Sequence, residues 1–259
     1  METGVTMSEL HNLTHEHKNG VLTIKFNRPN SLNALNHDMC QQLDYLLSKA
    51  AINDDIKAII ITSTSDGAFS AGYDVKELAS YEQTNLAIEN MQRYEWIWNI
   101  AIHPKPIIAA TPGIVMGAGA IIAVSADIRI GTTNTTFQFT STPHGVAMLT
   151  WNLPPLIGWS KAKEYLMTSC KISSEEAANS GLLNQVVNPE ELEAKATEMA
   201  ERMASFPPSG PQNVKKLLRE NLNKDQRSRL DSEILVATQQ LTEANTNKVG
   251  DWYKDMVEA

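Results

Sequence analysis

The sequence predicts an α/β fold built on buried parallel strands and followed by a helical C-terminal region. Three observations predict it. Short, nearly continuous apolar runs alternate with helical stripes from residue 21 to residue 130, the pattern of strands covered on both faces. Two turns made of small residues each sit between an apolar run and a helical stretch. Beyond residue 160 the apolar spacing becomes helical throughout.

Val21–Asn27 (VLTIKFN) is β-rich and bounded by Gly20 and by Arg28-Pro29, which marks a strand. Asn36 then caps a helix whose residues Met39, Leu43, Leu46, Leu47 and Ala50 share one face. Ala58–Thr62 (AIIIT) is a buried strand. After the polar STSDG, the run Phe69-Ser70-Ala71-Gly72-Tyr73-Asp74 leads into a helical segment through Leu78. Tyr81–Ile102 has the spacing of a long helix, ended by His103-Pro104-Lys105-Pro106. Ile107–Ala110 is the next strand, and Pro112-Gly113 turns the chain. Gly117-Ala118-Gly119-Ala120 opens a very apolar helix to Ser125, and Asp127–Ile130 is a further strand. Ser173-Ser174-Glu175-Glu176 has the form of a capping box. Asn188-Pro189 starts an amphipathic helix with Leu192, Ala196, Met199 and Met203 on one face, and Pro207-Pro208-Ser209-Gly210-Pro211 is the clearest linker. The expected organisation is a core over residues 1–200, of which 1–18 are a leader, and a helical region over 201–259.

With 22 basic against 30 acidic residues the net charge is −8, which argues against a nucleic-acid or anionic-membrane surface. Cys40 and Cys170 are read as buried thiols of a reducing compartment, and the polar first twenty residues as no signal peptide, so the expected location is cytoplasmic. His11, His15 and His17 belong to the leader in this reading, and no metal site is expected.

The two small-residue turns carry the chemistry. At a strand–helix junction the first backbone N–H groups lack intrahelical partners, and the helix dipole adds partial positive charge. Glycine at Gly72, Gly117 and Gly119 lets another backbone or a ligand approach closely. Two such turns facing one another would surround a carbonyl oxygen with donors, an oxyanion hole. Either turn alone is explained as well by packing.

Together with their surroundings the turns resemble the crotonase (enoyl-CoA hydratase/isomerase) superfamily. The matching pieces are Asn27-Arg28-Pro29, Leu32-Asn33-Ala34-Leu35, FSAGYDVKEL from Phe69, KPIIAA from Lys105 and PGIVMGAG from Pro112. ADIRI from Ala126, Leu156-Ile157-Gly158 and AANSGLLNQVV from Ala177 follow in the family's order. The resemblance implies a spiral of ββα units with a C-terminal helical trimerisation region, and a homotrimer or hexamer. It implies an acyl-CoA thioester as ligand, with coenzyme A entering as part of the substrate and no separate cofactor. The amides of Tyr73 and Ala118 would form the oxyanion hole. Ala71, Gly72 and Gly117 would line the ligand's path, and Arg28 and Lys76 would meet the CoA phosphates. The plainer alternative for both cations is solvated surface charge.

The pattern breaks where the family's hydratases place two glutamates to activate water. This chain has Ile121 and Ser141 there, and no acid where single-base isomerases keep one, near Met148–Trp151. No acidic residue occurs from Ile128 to Lys163. The chain is in this respect similar to members lacking both glutamates. His144 is the one ordinary base of the segment, either alone or paired with Ser141. Ile121, Phe139 and Trp151 would line an acyl pocket, with core packing as the alternative. Glu77, Glu82 and Glu95 lie on helices bordering that pocket in relatives and are read as solvated helix charges. The expected function is thioester polarisation with isomerase-type or other non-hydratase chemistry in fatty-acid metabolism. A silent acyl-CoA carrier and a hydratase with a displaced base are the alternatives.

Overall fold

The apolar runs become the strands of one sheet because both of their faces are covered. In the computed structural model, which describes residues 11–80 and 94–243, strand β3 (Ala58–Ser63) shows the division. Ile59 and Ile61 join one hydrophobic core, whereas Ala58 and Ile60 join another on the opposite face. β2 (Val21–Phe26), β5 (Ile107–Thr111), β7 (Ile128–Thr132) and β10 (Gln185–Val187) complete the parallel part of the sheet. β1 (Leu13–Lys18) is added antiparallel to β2, so the six-stranded order is β1-β2-β3-β5-β7-β10.

Residues 13–18, expected within a leader, are therefore a paired strand. Its burial pattern explains why no period shows: only Leu13 is buried and Thr14 to Lys18 are exposed, His15 and His17 included. The hairpin turns on Asn19-Gly20, both left-handed (φ 51° and 77°), as a two-residue turn matching the strand twist demands.

A second sheet of four short strands runs β4 (Ala68–Ser70), β6 (Ile114–Met116), β8 (Thr136–Gln138), β9 (Ile172–Ser173). β4, β6 and β8 are mutually parallel. Each of the pairs β3/β4, β5/β6 and β7/β8 puts one strand in each sheet, and each advances the spiral by one position. α2 (Val75–Leu78), α4 (Ala118–Ser125) and α5 (Leu153–Thr168, kinked at Gly158) follow the successive pairs.

α1 (His37–Ile52) opens as expected, with the Asn36 side chain accepting from the Met39 amide at 3.0 Å. Helix α3 is described over 94–102, and the rest of the helix expected from Tyr81 lies outside the described residues. α6 (Ser174–Asn179) is capped by Ser173. α7 (Leu192–Ser205) covers the second core with Leu192, Ala196, Ala200 and Ala204, small side chains that let it lie close over Ile60, Ile108 and Ile130. Each of those isoleucines contributes about 2 kcal/mol by leaving water.

Arg129, from the ADIRI run, is buried and ties this layer together. Its guanidinium donates to the carbonyls of Leu182 (2.7 Å) and Ala126 (2.8 Å) and to Asn184 Oδ1 (3.3 Å). Burial lowers its pKa to about 10.

The chain divides into two compact units at Pro208–Ser209, so α7 belongs to the first. The second holds α8 (Ser209–Glu220) and α9 (Gln226–Glu243), which expose Val214, Leu218, Leu230, Ile234 and Leu235, with Leu222 exposed on the turn between them. No described helix is long and apolar enough to cross a membrane.

Candidate active site

Asn33 builds the first turn. It is fully buried and left-handed (φ 53°), a conformation asparagine tolerates better than other non-glycine residues. Its Nδ2 donates to Ser63 Oγ (2.7 Å) and the Ala68 carbonyl (2.9 Å), and its Oδ1 accepts from the Arg28 amide (2.8 Å). Ser70 Oγ donates to the Asn33 carbonyl (2.8 Å) and accepts from the Gly72 amide (3.1 Å). Leu35 then bonds on either side of Tyr73: its amide donates to the Gly72 carbonyl (2.7 Å), and its carbonyl accepts from Asp74 (3.0 Å). In such a parallel bridge the Tyr73 amide faces away from Leu35.

Gly117 builds the second turn. Its amide donates to the Gln138 carbonyl at 3.0 Å, its φ is 51°, and it leaves the first amides of α4 without a side-chain cap. Ala118 opens the helix, so its N–H has no intrahelical acceptor, and no described residue takes it. Two close approaches join the turns. A Cβ on Gly72 (φ 97°) would lie 3.1 Å from the Ala118 nitrogen and 3.1 Å from the Met116 carbonyl oxygen. A Cβ on Gly119 would lie 2.6 Å from both Cβ and the carbonyl oxygen of Ser70. Backbone therefore packs directly on backbone.

Tyr73 and Ala118 line one cleft together with Leu43, Trp96, Ile97 and Ile122. Its cavity volume is about 20 Å³, room for roughly one water. Among the described residues that line it, the one carboxylate is Asp44, which accepts from Asn99 Nδ2 at 3.2 Å. A second, wider cleft of about 360 Å³ holds Ile121 and Trp151 with Tyr94, Glu95, Trp98 and Met148. Trp98 and Trp151 meet edge to face, centroids 5.8 Å apart. Phe139 lines neither cleft and packs in the core.

Arg28 and Lys76 part company. Arg28 is largely buried, its guanidinium bound to Asp74 (3.0 Å) and to the Ala34 carbonyl. Asp74 in turn caps α2, accepting from the Lys76 (3.1 Å) and Glu77 (3.4 Å) amides. Burial pushes the Asp74 carboxyl up, but the Arg28 hydrogen bond, the two amides and the Arg28 charge outweigh it and hold the group below its ordinary value. Lys76 is exposed on the first turn of α2. Ala71 is half-buried, its amide donating to the Leu32 carbonyl at 2.9 Å. Glu77 is no solvated charge: its carboxylate accepts from the His37 amide (2.9 and 3.1 Å) at the positive end of α1. Glu82 lies outside the described residues.

Ser141 precedes and His144 ends a single 3-10 turn, the histidine exposed, and no hydrogen bond joins their side chains. Neither lines either cleft. Among the described residues no group of three or more His, Cys, Asp or Glu side chains is placed to hold a metal ion. Reading the sequence alone misses the Asn33 hub, whose sign is its place in Leu32-Asn33-Ala34-Leu35, and the seating of Glu95 in the wide cleft.

The sequence profile described as Enoyl-CoA hydratase/isomerase matches residues 16–255. A short-chain-enoyl-CoA hydratase of Clostridium acetobutylicum is 33% identical over 206 residues, covering 77% of this chain and 78% of that protein. A 1,2-epoxyphenylacetyl-CoA isomerase of Escherichia coli is 30% identical over 230 residues, covering 86% and 85%. Among solved structures, an enoyl-CoA hydratase of Bacillus anthracis superposes with a TM-score of 0.90 at 27% identity, covering 95% of this chain and 96% of that one.

Proposed function

The chain belongs to the enoyl-CoA hydratase/isomerase (crotonase) family, and on that premise we propose that it binds an acyl-CoA thioester and moves a proton on it without adding water. The thioester oxygen is received by the amides of Tyr73 and Ala118, which carry the negative charge that grows there as the thioester becomes enolate-like. Donors fixed in place beforehand stabilise such charge by a few kcal/mol, about 3–4 for one hydrogen bond.

One observation carries this reading: the Ala118 nitrogen stands 3.1 Å from where a Gly72 side chain would begin, and Tyr73 and Ala118 line one cleft. Ile121 and Ser141 supply no carboxylate to hold and deprotonate a water, which favours double-bond migration over hydration. Coenzyme A enters as part of the substrate. Lys76 is the better placed of the two predicted cations for its phosphates, because Arg28 already holds Asp74. The apolar side chains that α8 and α9 expose suit assembly into a trimer or hexamer.

The test pairs binding with turnover on one sample. Calorimetric titration with medium and long acyl-CoAs is expected to show saturable binding. Assays are expected to show 3-enoyl isomerisation and little or no hydration of crotonyl-CoA. Hydration as fast as isomerisation would refute the proposal. Binding without any turnover would favour the carrier reading, which the missing carboxylates also support.

A further inference from the structure

We propose that Glu95 is the catalytic base of this site, taking a proton from the carbon chain of the bound thioester and returning it one double bond further on; the proposal rests on the thioester reading above. Among the described residues Glu95 is the one carboxylate lining the wide cleft, whose other walls include Tyr94, Trp98, Ile121, Met148 and Trp151. Its side chain makes no hydrogen bond or ion pair with any described residue, so it has no structural duty to leave.

Position supports the role. Ile121 follows Ala118 by three residues on α4, which puts their side chains about 5–6 Å apart on one face. Ile97 lines both clefts. A chain leaving a carbonyl held at the Ala118 amide crosses that distance in three or four bonds of about 1.5 Å. Its γ carbon, three bonds from the carbonyl carbon, then lies at the mouth of the wide cleft, with the α carbon two bonds behind it. Competing groups fit less well. Asp44 holds Asn99 in a cleft of about 20 Å³, and Ser141 and His144 line neither cleft.

Chemistry follows from the walls. An acyl chain filling an aromatic cleft displaces water from around the reacting carbons. The Glu95 carboxylate takes the α-proton of a 3-enoyl thioester. The C–H electron pair forms the new double bond between α and β carbons through the enolate held at the two amides. The old double bond's electrons take the proton back at the γ carbon, and the carboxylate is regenerated. Nothing is oxidised or reduced, and no water is consumed.

The full chain is assayed with a medium-chain 3-enoyl-CoA in D₂O, following double-bond migration by absorbance and deuterium entry at the α and γ carbons by NMR. Affinity for the saturated acyl-CoA is measured in parallel. Glu95→Gln is expected to keep affinity within about threefold while losing about 10²–10⁴-fold in isomerisation and exchange. Glu95→Asp, which keeps the carboxylate, is expected to retain part of the rate. A Glu95→Gln protein that isomerises at the wild-type rate overturns the proposal. So does a wild type that binds acyl-CoA yet neither isomerises nor exchanges, and of the reading above that result leaves only acyl-CoA binding standing. Absence of acyl-CoA binding by the wild type sinks both.

Discussion

Replacing Gly119 by alanine tests whether the seat of α4 on β4 sets the site. The added Cβ would stand 2.6 Å from both Cβ and the carbonyl oxygen of Ser70, where relaxed contact is about 3.5–4.0 Å. The helix must therefore retreat by about 1 Å, since a backbone carbonyl has no rotamer with which to give way. Overpacking of this kind costs about 1–3 kcal/mol. At about 2–4 °C per kcal/mol for a chain of this size, the melting midpoint falls by about 2–12 °C. The same retreat carries the Ala118 amide away from Gly72, whose Cβ direction now ends 3.1 Å from it. A displacement of about 1 Å at a reacting centre costs on the order of 10²-fold in rate. Thermal melts and isomerase kinetics on the variant read the two effects separately. Gly210→Ala is the control: nothing lies within 4 Å of its Cβ, and it sits in α8, so neutrality or a gain of up to about 1 kcal/mol is expected. Should Gly119→Ala melt with the wild type and turn over at its rate, the packing of α4 does not position the amide, and the reasoning fails.

Two other perturbations probe the scaffold. Asn33→Ala removes the side-chain partner of the Ala68 carbonyl and of the Arg28 amide and places alanine at φ 53°; a loss of about 2–4 kcal/mol in urea unfolding is expected, and a loss under 0.5 kcal/mol would show the hub to be dispensable. Asp74→Asn keeps the cap but loses the Arg28 ion pair. Because the folded pKa of Asp74 lies below 3.8, its contribution is full above that value and vanishes as pH falls through the folded one. The stability gap between wild type and variant is thus expected to be widest, about 1–3 kcal/mol, above about pH 5 and to close in acid; a gap independent of pH would refute the assignment.

What was legible in the sequence follows from burial. Strands β2, β3, β5 and β7 read as apolar runs because helices or a second core cover both of their faces. β1 shows no such run, since one residue of it is buried; its sign is the Asn19-Gly20 pair, a hairpin turn flanked by polar residues. The second sheet has strands of two or three residues, too short for any period. Helix caps divide the same way. Ser173 accepts from the Glu176 amide (3.2 Å), but the Glu176 carboxylate leaves the expected box for Tyr165 (3.0 Å) and Lys161 (3.3 Å). Asn188 and Glu191 form the reciprocal box instead. Arg28 could not be sorted from sequence, because its partner Asp74 lies 46 residues on.

The two glycine turns were readable for a reason that bears on how this family can vary. Donors of the backbone are indifferent to the side chains that bear them, so the proposed roles of Tyr73 and Ala118 ask nothing of their side chains. What the turns require is absence of bulk at Gly72 and Gly119, where a single methyl would meet the opposing backbone or Ser70. Proton handling has no such tie to the turns. On the proposal above, a carboxylate on α3 would reach the carbon chain that one on α4 would, and Ile121, which lines the same cleft as Glu95, would serve as its dry wall. Absence of acids at Ile121 and Ser141 fits a relocated base and a silent carrier alike, and Glu95→Gln is the substitution that separates the two.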